Sequence, residues 1–454
     1  MVFNREERMG SNNVDYLTLK PESATLLDLF LFTLSFSYVD IRKLVKCPAG
    51  KERSYQSFGD RWIIVSSILL VKLLIAITKL FQTFKTMREK IFGVPQETYG
   101  AKVKCEDWRI EVGKNSNSKL GDDNGFRYYG ALTMMASTLA YESTPVIETV
   151  VDNCWKMEMD KCYDFWNDFQ DKIRTRAFAF RAKDPNVMVV AFKGTSALGD
   201  WSENLNVSWY NIKGIGNIHD GFMQALGLQQ NTDWPKELPP RPDNHEFAYY
   251  TLRQVLRDFV KDNDKARFII TGHSLGGALA ILFVTILAFH EESALLKRLQ
   301  AIYTFGQPRS GDRNFAKFMN NLTKKYGFDY YRYVYSFDIV PRVPFDCKNF
   351  WYKHFGGCVY YNSCYKGKFL EAQPNPNYFC ESWLTPFQYL TAWWELLRSL
   401  VIPLFKGPKY FEGFNTLMLR LIGLVVPGVS AHSSQNYINL TRYGKIQLPS
   451  HIKP

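Results

Sequence analysis

Apolar positions recur along this chain with two periods. Arg176-Ala177-Phe178-Ala179-Phe180 and Val187-Met188-Val189-Val190-Ala191-Phe192 are short apolar runs joined through Lys183-Asp184-Pro185-Asn186. That is the pattern of neighbouring strands connected by a turn. Ala301 to Phe305 reads as a strand stopped by Gly306-Gln307-Pro308, and Tyr330 to Phe337 as a further one. Between these lies Tyr250 to Val260, with Leu252, Val255, Leu256, Phe259 and Val260 on one face, the spacing of an amphipathic helix. Strands alternating with helices predict a mostly parallel sheet covered on both faces. This pattern begins near residue 120, and no internal repeat is visible.

The chain before residue 120 is patterned differently. Leu26 to Val39 is an apolar segment followed by Arg42, Lys43 and Lys46. Trp62 to Val71 carries no charge, and Leu73 to Thr78 continues the run after Lys72. At about 100° per residue, Arg61, Lys72 and Lys79 fall on one narrow stripe, with Ile, Leu, Val and Ala over most of the remaining circumference. Such a helix is expected to lie in a lipid interface. Spanning the bilayer would place Lys72 near its middle at considerable cost, and a packed core helix is the third reading. The domain organisation expected from these shifts is a disordered N-terminus (1–20), a lipid-associating region (21–119), an α/β core (120–346), an aromatic helical insertion (347–425) and a C-terminal part of the core (426–454).

Composition narrows the function classes. The chain has 454 residues, abundant aromatics and a net charge of +12, a balance that attracts anionic surfaces. No zinc-finger spacing, recognition-helix pattern or RNP-like strand accompanies the charge, so nucleic acid is not an expected partner. The eight cysteines contain no C-x-x-C pair and do not read as a disulfide framework; those at 347, 358, 364 and 380 are expected to be free buried thiols, with a structural zinc or a disulfide as the alternatives. Met1 to Tyr16 is polar and charged, unlike a signal peptide, which favours a cytosolic, reducing compartment.

The most informative segment is Thr271-Gly272-His273-Ser274-Leu275-Gly276-Gly277-Ala278. It follows the apolar run Arg267 to Ile270 and opens a long apolar stretch to Phe289. G-x-S-x-G between a strand and a helix is the setting of a nucleophile elbow. A serine hydroxyl there requires a base to take its proton and an acid to orient the base. In α/β-hydrolases these follow in the order serine, acid, histidine.

Downstream of Ser274 the acid candidates are Asp312, Asp329, Asp338 and Asp346. Sites of open α/β sheets lie beyond the carboxyl ends of strands, which favours Asp338 and counts against Asp329 at the opposite end of the same strand. Beyond it stand His354, His432 and His451. His432 lies in the polar loop Ser430 to Ser434 after an apolar run and is favoured over His354, in the cysteine-rich insertion, and over the terminal His451. His273 reads as a packing residue of the elbow. The oxyanion of an acyl-transfer intermediate requires backbone donors. Leu275 supplies one, and Thr195, after the strand Val187 to Phe192 and the turn-forming Gly194, supplies the other. No metal or organic cofactor is required.

Five segments together resemble the class 3 lipase family of α/β-hydrolases: Phe192-Lys193-Gly194-Thr195, His219-Asp220-Gly221-Phe222, Gly272 to Ala278, Phe305 to Gly311 and Asp338 to Pro344. The extended N-terminus and Tyr352-Lys353-His354-Phe355-Gly356 are closer to its plant oil-body branch. The resemblance implies triacylglycerol hydrolysis at the cytosolic face of lipid droplets, with Ser274, Asp338 and His432 as a triad and Thr195 and Leu275 as oxyanion donors. A phospholipase A1 or galactolipase with the same machinery remains an open alternative, as do a non-catalytic droplet protein and an endoplasmic reticulum location. By analogy, the loop holding Trp201 and Leu205 is a lid. The apolar stretches Phe387 to Phe405 and Phe414 to Val426 are expected to wall an acyl pocket and dip into lipid, or to contribute plain core. The long interval between Asp338 and His432 departs from the compact fungal members. Oligomeric state is not legible.

Overall fold

The computed structural model describes residues 18–35, 39–47, 57–92, 123–168, 171–195, 209–227, 235–238, 245–346, 352–377 and 385–446, apart from 183, 185, 345, 407–411 and 413. The N-terminal part holds β1 (Thr18–Leu19), α1 (Leu26–Leu34), β2 (Val45–Lys46) and α2 (Phe58–Phe92). The α/β part follows with α3 (Asp123–Leu139), β3 (Glu158–Asn167), β4 (Lys172–Arg181), β5 (Val187–Phe192), and the pair β6 (Trp209–Ile212) and β7 (Gly216–His219). Next come α4 (Ala248–Lys261), β8 (Arg267–His273), α5 (Leu275–Phe289), β9 (Leu299–Phe305), α6 (Arg313–Tyr326) and β10 (Asp329–Tyr335). The last stretch comprises β11 (Cys358–Tyr361), β12 (Lys366–Leu370), α7 (Thr385–Lys406), α8 (Phe414–Gly423), α9 (Pro427–Ala431), α10 (Ser434–Tyr443) and β13 (Lys445–Ile446).

Among the described residues nine strands form the central sheet, in the order β13-β12-β11-β10-β9-β8-β5-β4-β3. The run β5-β8-β9-β10-β11 is parallel throughout, whereas β3, β4 and β5 pair antiparallel. Alternation along the strands sends successive side chains to opposite faces. Val190, Phe192, Phe268, Ile270 and Ile302 pack under α4, α5 and α6. Val189, Ala191, Ile269, Ala301 and Tyr303 pack under α3 and α10. The expected parallel sheet with two covered faces is therefore present, in the arrangement of an α/β-hydrolase. Parallel pairing brings the carboxyl ends of β5, β8, β9 and β10 to one edge, and this edge positions the site.

Three details differ from the sequence reading. β10 ends at Tyr335 rather than Phe337, because Ser336 turns the chain at φ 42°. Part of the apolar face of α2 is not open: Ile64, Val65 and Ile68 are buried with Leu29 and Phe32 of α1 and with Tyr352, and Val71 is buried as well. Among its described side chains, Trp62 and Leu69 remain exposed, as does Lys79, while Arg61 and Lys72 are half-buried. Among the described residues no helix is long and apolar enough to cross a membrane. Cys47, Cys162, Cys358 and Cys364 are free, whereas Cys154 is disulfide-bonded, a bridge the sequence did not point to; Cys347 and Cys380 lie outside the described residues. Trp201, Leu205, His451 and the N-terminal residues through 17 lie outside the described residues.

Candidate active site

The turn from β8 into α5 fixes the first group. Ser274 holds φ 60° and ψ −130°, a region that costs a non-glycine residue roughly 1–3 kcal/mol. Its N–H donates to the Phe305 carbonyl at 2.9 Å. The flanking glycines are required by approach, not by their own torsions. A Cβ on Gly272 would lie 2.1 Å from the Gly276 carbonyl carbon, and one on Gly276 would lie 2.3 Å from the Phe192 oxygen. The elbow is thus clamped between its own helix and the end of β5. Leu275 is the first residue of α5, so its N–H belongs to the unpaired first turn of that helix.

The second group lies past the end of β10. Asp338 is fully buried, and three donors meet its carboxylate in four contacts. His432 Nδ1 approaches Oδ2 at 2.9 Å and Oδ1 at 3.1 Å. Tyr437 O–H donates to Oδ2 at 2.5 Å, and Val340 N–H to Oδ1 at 2.9 Å. Burial first, and then the Asp338 charge, push the Tyr437 phenol well above its ordinary pKa, so it stays a donor. Arg342 fixes the backbone of the same loop, donating to the Asp338 carbonyl and to the Ser336 carbonyl at 3.0 Å. Asp338 also requires its neighbour to be glycine: Gly306 has φ +58°, and a Cβ there would stand 2.9 Å from His432 Cε1 and 3.0 Å from Asp338 Oδ2.

His432 caps α9, directly before α10. Its ring stacks on His273 at 4.7 Å with 22° between the planes. His273 Nε2 faces the His432 carbonyl at 3.2 Å, and its Nδ1 faces Tyr141 Oη at 3.1 Å. A carbonyl only accepts, so Nε2 carries the proton and Nδ1 accepts from the tyrosine. Burial, then the neighbouring His432, holds the His273 imidazole well below its usual pKa. It is a neutral strut, as its reading as an elbow residue anticipated. Tyr141 in turn bonds the Gly194 backbone, in the loop that carries Thr195. A Cβ on Gly194 would lie 2.5 Å from the His273 oxygen, so the Gly194–Thr195 turn rests against the elbow itself.

The other candidates are engaged elsewhere. Asp312 caps α6 by accepting from Phe315 N–H at 2.8 Å. Asp329 lies at the far end of β10, and Asp346 pairs with Lys353 at 2.6 Å. His354 Nε2 donates to the Pro341 carbonyl at 2.7 Å. Of the residues singled out in the sequence, Ser274, Asp338, His432, Leu275 and Thr195 share one edge of the sheet. Arg61, Lys72 and Lys79 lie on α2, which packs with α1 and Tyr352. Sequence reasoning missed Tyr437, Tyr141 and the role of Arg342. Only Tyr437 left a trace, one helical turn beyond the Ser433 cap.

With its Nδ1–H directed at a carboxylate, the neutral His432 imidazole carries its lone pair on Nε2. The His432–Asp338 pair packs on His273, the residue directly before Ser274 on its strained turn. Residues 189–348 match the family described as Lipase (class 3). The Triacylglycerol lipase OBL1 of Arabidopsis thaliana is 34% identical over 492 residues, covering 95% of each chain. The chain belongs to the class 3 lipase family. The Triacylglycerol lipase OBL1 of Ricinus communis is 40% identical across 72% of this lipase and 67% of its own length. The Phospholipase A1-IIbeta of Arabidopsis thaliana is 26% identical, over 35% of this lipase and 39% of its own length. The family match ends at 348, before His432, so within this lipase the pairing of His432 with Asp338 rests on the geometry given above.

Proposed function

We propose that this class 3 lipase is a serine hydrolase of triacylglycerol that works at the surface of lipid droplets. The observation that carries the reading is the His432–Asp338 pair at 2.9 Å, stacked against the elbow that holds Ser274. Ser274 Oγ attacks the ester carbonyl while His432 Nε2 takes its proton. The tetrahedral oxyanion is held by N–H groups of Leu275 and Thr195, each such donor contributing about 3–4 kcal/mol to transition-state stabilisation. The imidazolium, steadied by Asp338, returns its proton to the departing glyceride oxygen. A water activated by the same histidine then releases the fatty acid and restores Ser274.

Action at a lipid surface is supported by α7, whose polarity is inverted. Its charged Glu395 and Arg398 are buried, whereas Leu390, Trp393, Leu397, Leu404 and Phe405 are more than half exposed. Exposed apolar patches of this kind mark interaction surfaces, and tryptophan suits the boundary between water and lipid. Replacing Trp393 and Trp394 together by serine should weaken adsorption to a triacylglycerol emulsion by about tenfold or more, from the apolar area each ring would bury. Turnover of a dissolved short-chain ester should fall far less. Equal losses on both substrates would remove α7 from the lipid contact.

The substrate reading is tested by assaying the purified protein on trioleoylglycerol emulsion and on phosphatidylcholine liposomes side by side. Faster release of fatty acid from the emulsion is expected. Preferential phospholipid cleavage would replace the triacylglycerol reading by a phospholipase A1 one.

A further inference from the structure

A buried ionic cluster joins the lipid-facing helix to the loop of His432. Arg420 of α8 is fully buried, as is Glu395 of α7. The guanidinium donates to Glu395 at 2.7 Å through Nη1 and to Glu412 at 3.0 Å through Nη2. Nη2 also donates to Asn436 Oδ1 at 2.6 Å. This orients the Asn436 amide, which is wholly buried in α10, so that its Nδ2 donates to the carbonyls of Ser430 at 3.0 Å and Ala431 at 3.2 Å. Those are the two residues immediately before His432.

Three features make this more than generic packing. Burying an arginine with two carboxylates is costly, and apolar residues of similar volume are often as stable or more so, so stability alone does not account for the cluster. The amide stands between a donor and two acceptors, so only one of its two orientations satisfies all of them. The same turn is also held from the side of the acid, because Ile339 N–H donates to the Gly428 carbonyl at 3.2 Å. A Cβ on Gly423, at the end of α8, would strike Ser430 Oγ, so α8 abuts that turn directly.

We propose that Arg420 and Asn436 are positioning residues for His432, fixing the carbonyls ahead of it and hence the angle at which the imidazole meets Ser274. The inference rests on His432 being the base. The discriminating change is Asn436→Asp. It keeps the shape and strengthens the bond to Arg420, but replaces the amide donor with an oxygen that repels both carbonyls. A merely structural cluster would lower the melting temperature on losing these bonds while leaving kcat per folded molecule unchanged. A positioning role predicts a kcat on a dissolved short-chain ester about tenfold or more below wild type, since misplacements near 1 Å reach a hundredfold, with KM within about twofold.

If Asn436→Asp does not fold, Asn436→Ser, whose hydroxyl reaches at most one carbonyl, is measured per folded molecule and read the same way. An unchanged kcat in the folded variant overturns the proposal. The reading of His432 as base is tested separately by His432→Ala. Activity retained there would sink that reading, whereas activity lost there but retained in Asn436→Asp would sink only this inference.

Discussion

Replacing Ser274 by alanine is expected to lower kcat on triacylglycerol by about 10⁵- to 10⁶-fold, the loss typical when the nucleophile of a serine hydrolase is removed. The argument is chemical rather than structural. The side chain at 274 is almost fully buried, and alanine inherits the same backbone at φ 60°, so the melting temperature should change little. What disappears is the oxygen that forms the acyl-enzyme. A remnant of activity above the water reaction would persist from the oxyanion donors and from substrate binding. Titration of fatty-acid release against wild type, with circular dichroism to monitor folding, checks both halves of the expectation.

The second large effect belongs to Asp338→Asn, expected to cost about 10⁴ in kcat, as an aspartate-to-asparagine change at the orienting position of a triad does. The hydrogen bonds dictate why. Val340 N–H points at Oδ1 and cannot reverse, so the amide oxygen must stay there. The NH₂ group is then forced into the place of Oδ2, 2.9 Å from His432 Nδ1. Nδ1 must become the acceptor, the proton moves to Nε2, and the ring loses its capacity to take a proton from Ser274. Tyr437, which donates to the same oxygen and accepts from Tyr335 N–H at 3.2 Å, gives the new amide little relief. KM on a dissolved ester should hold within about threefold. A kcat within about tenfold of wild type would refute this role.

The architecture was legible where a physical constraint acts on neighbours in sequence. Strands buried on both faces must be apolar throughout, which marks Val187 to Phe192 and Arg267 to Ile270. A chain that turns between strand and helix without room for a Cβ must place glycine at 272 and 276. The order of groups along an α/β sheet narrowed the expected partners of Ser274 to Asp338 and His432, and the fold brings those two within 2.9 Å of each other.

Contacts set by topology were not legible. Tyr437 reaches Asp338 from 99 positions away. Arg420 is the one charge in the apolar stretch Phe414 to Val426, and its partners Glu395 and Asn436 lie on two other helices. The sequence left the interfacial, spanning and packed-core readings of α2 open for the same reason: its partial cover, α1, is a separate element whose docking no periodicity records.

The most direct test of the central claim, that His432 activates Ser274, is a double-mutant cycle on a dissolved ester with Ser274→Ala, His432→Ala and the two combined. Groups acting as one unit lose nearly everything at the first change. Each single variant and the double variant should therefore fall to the same residual rate. Losses that add, or a His432→Ala enzyme within about tenfold of wild type, would contradict the account.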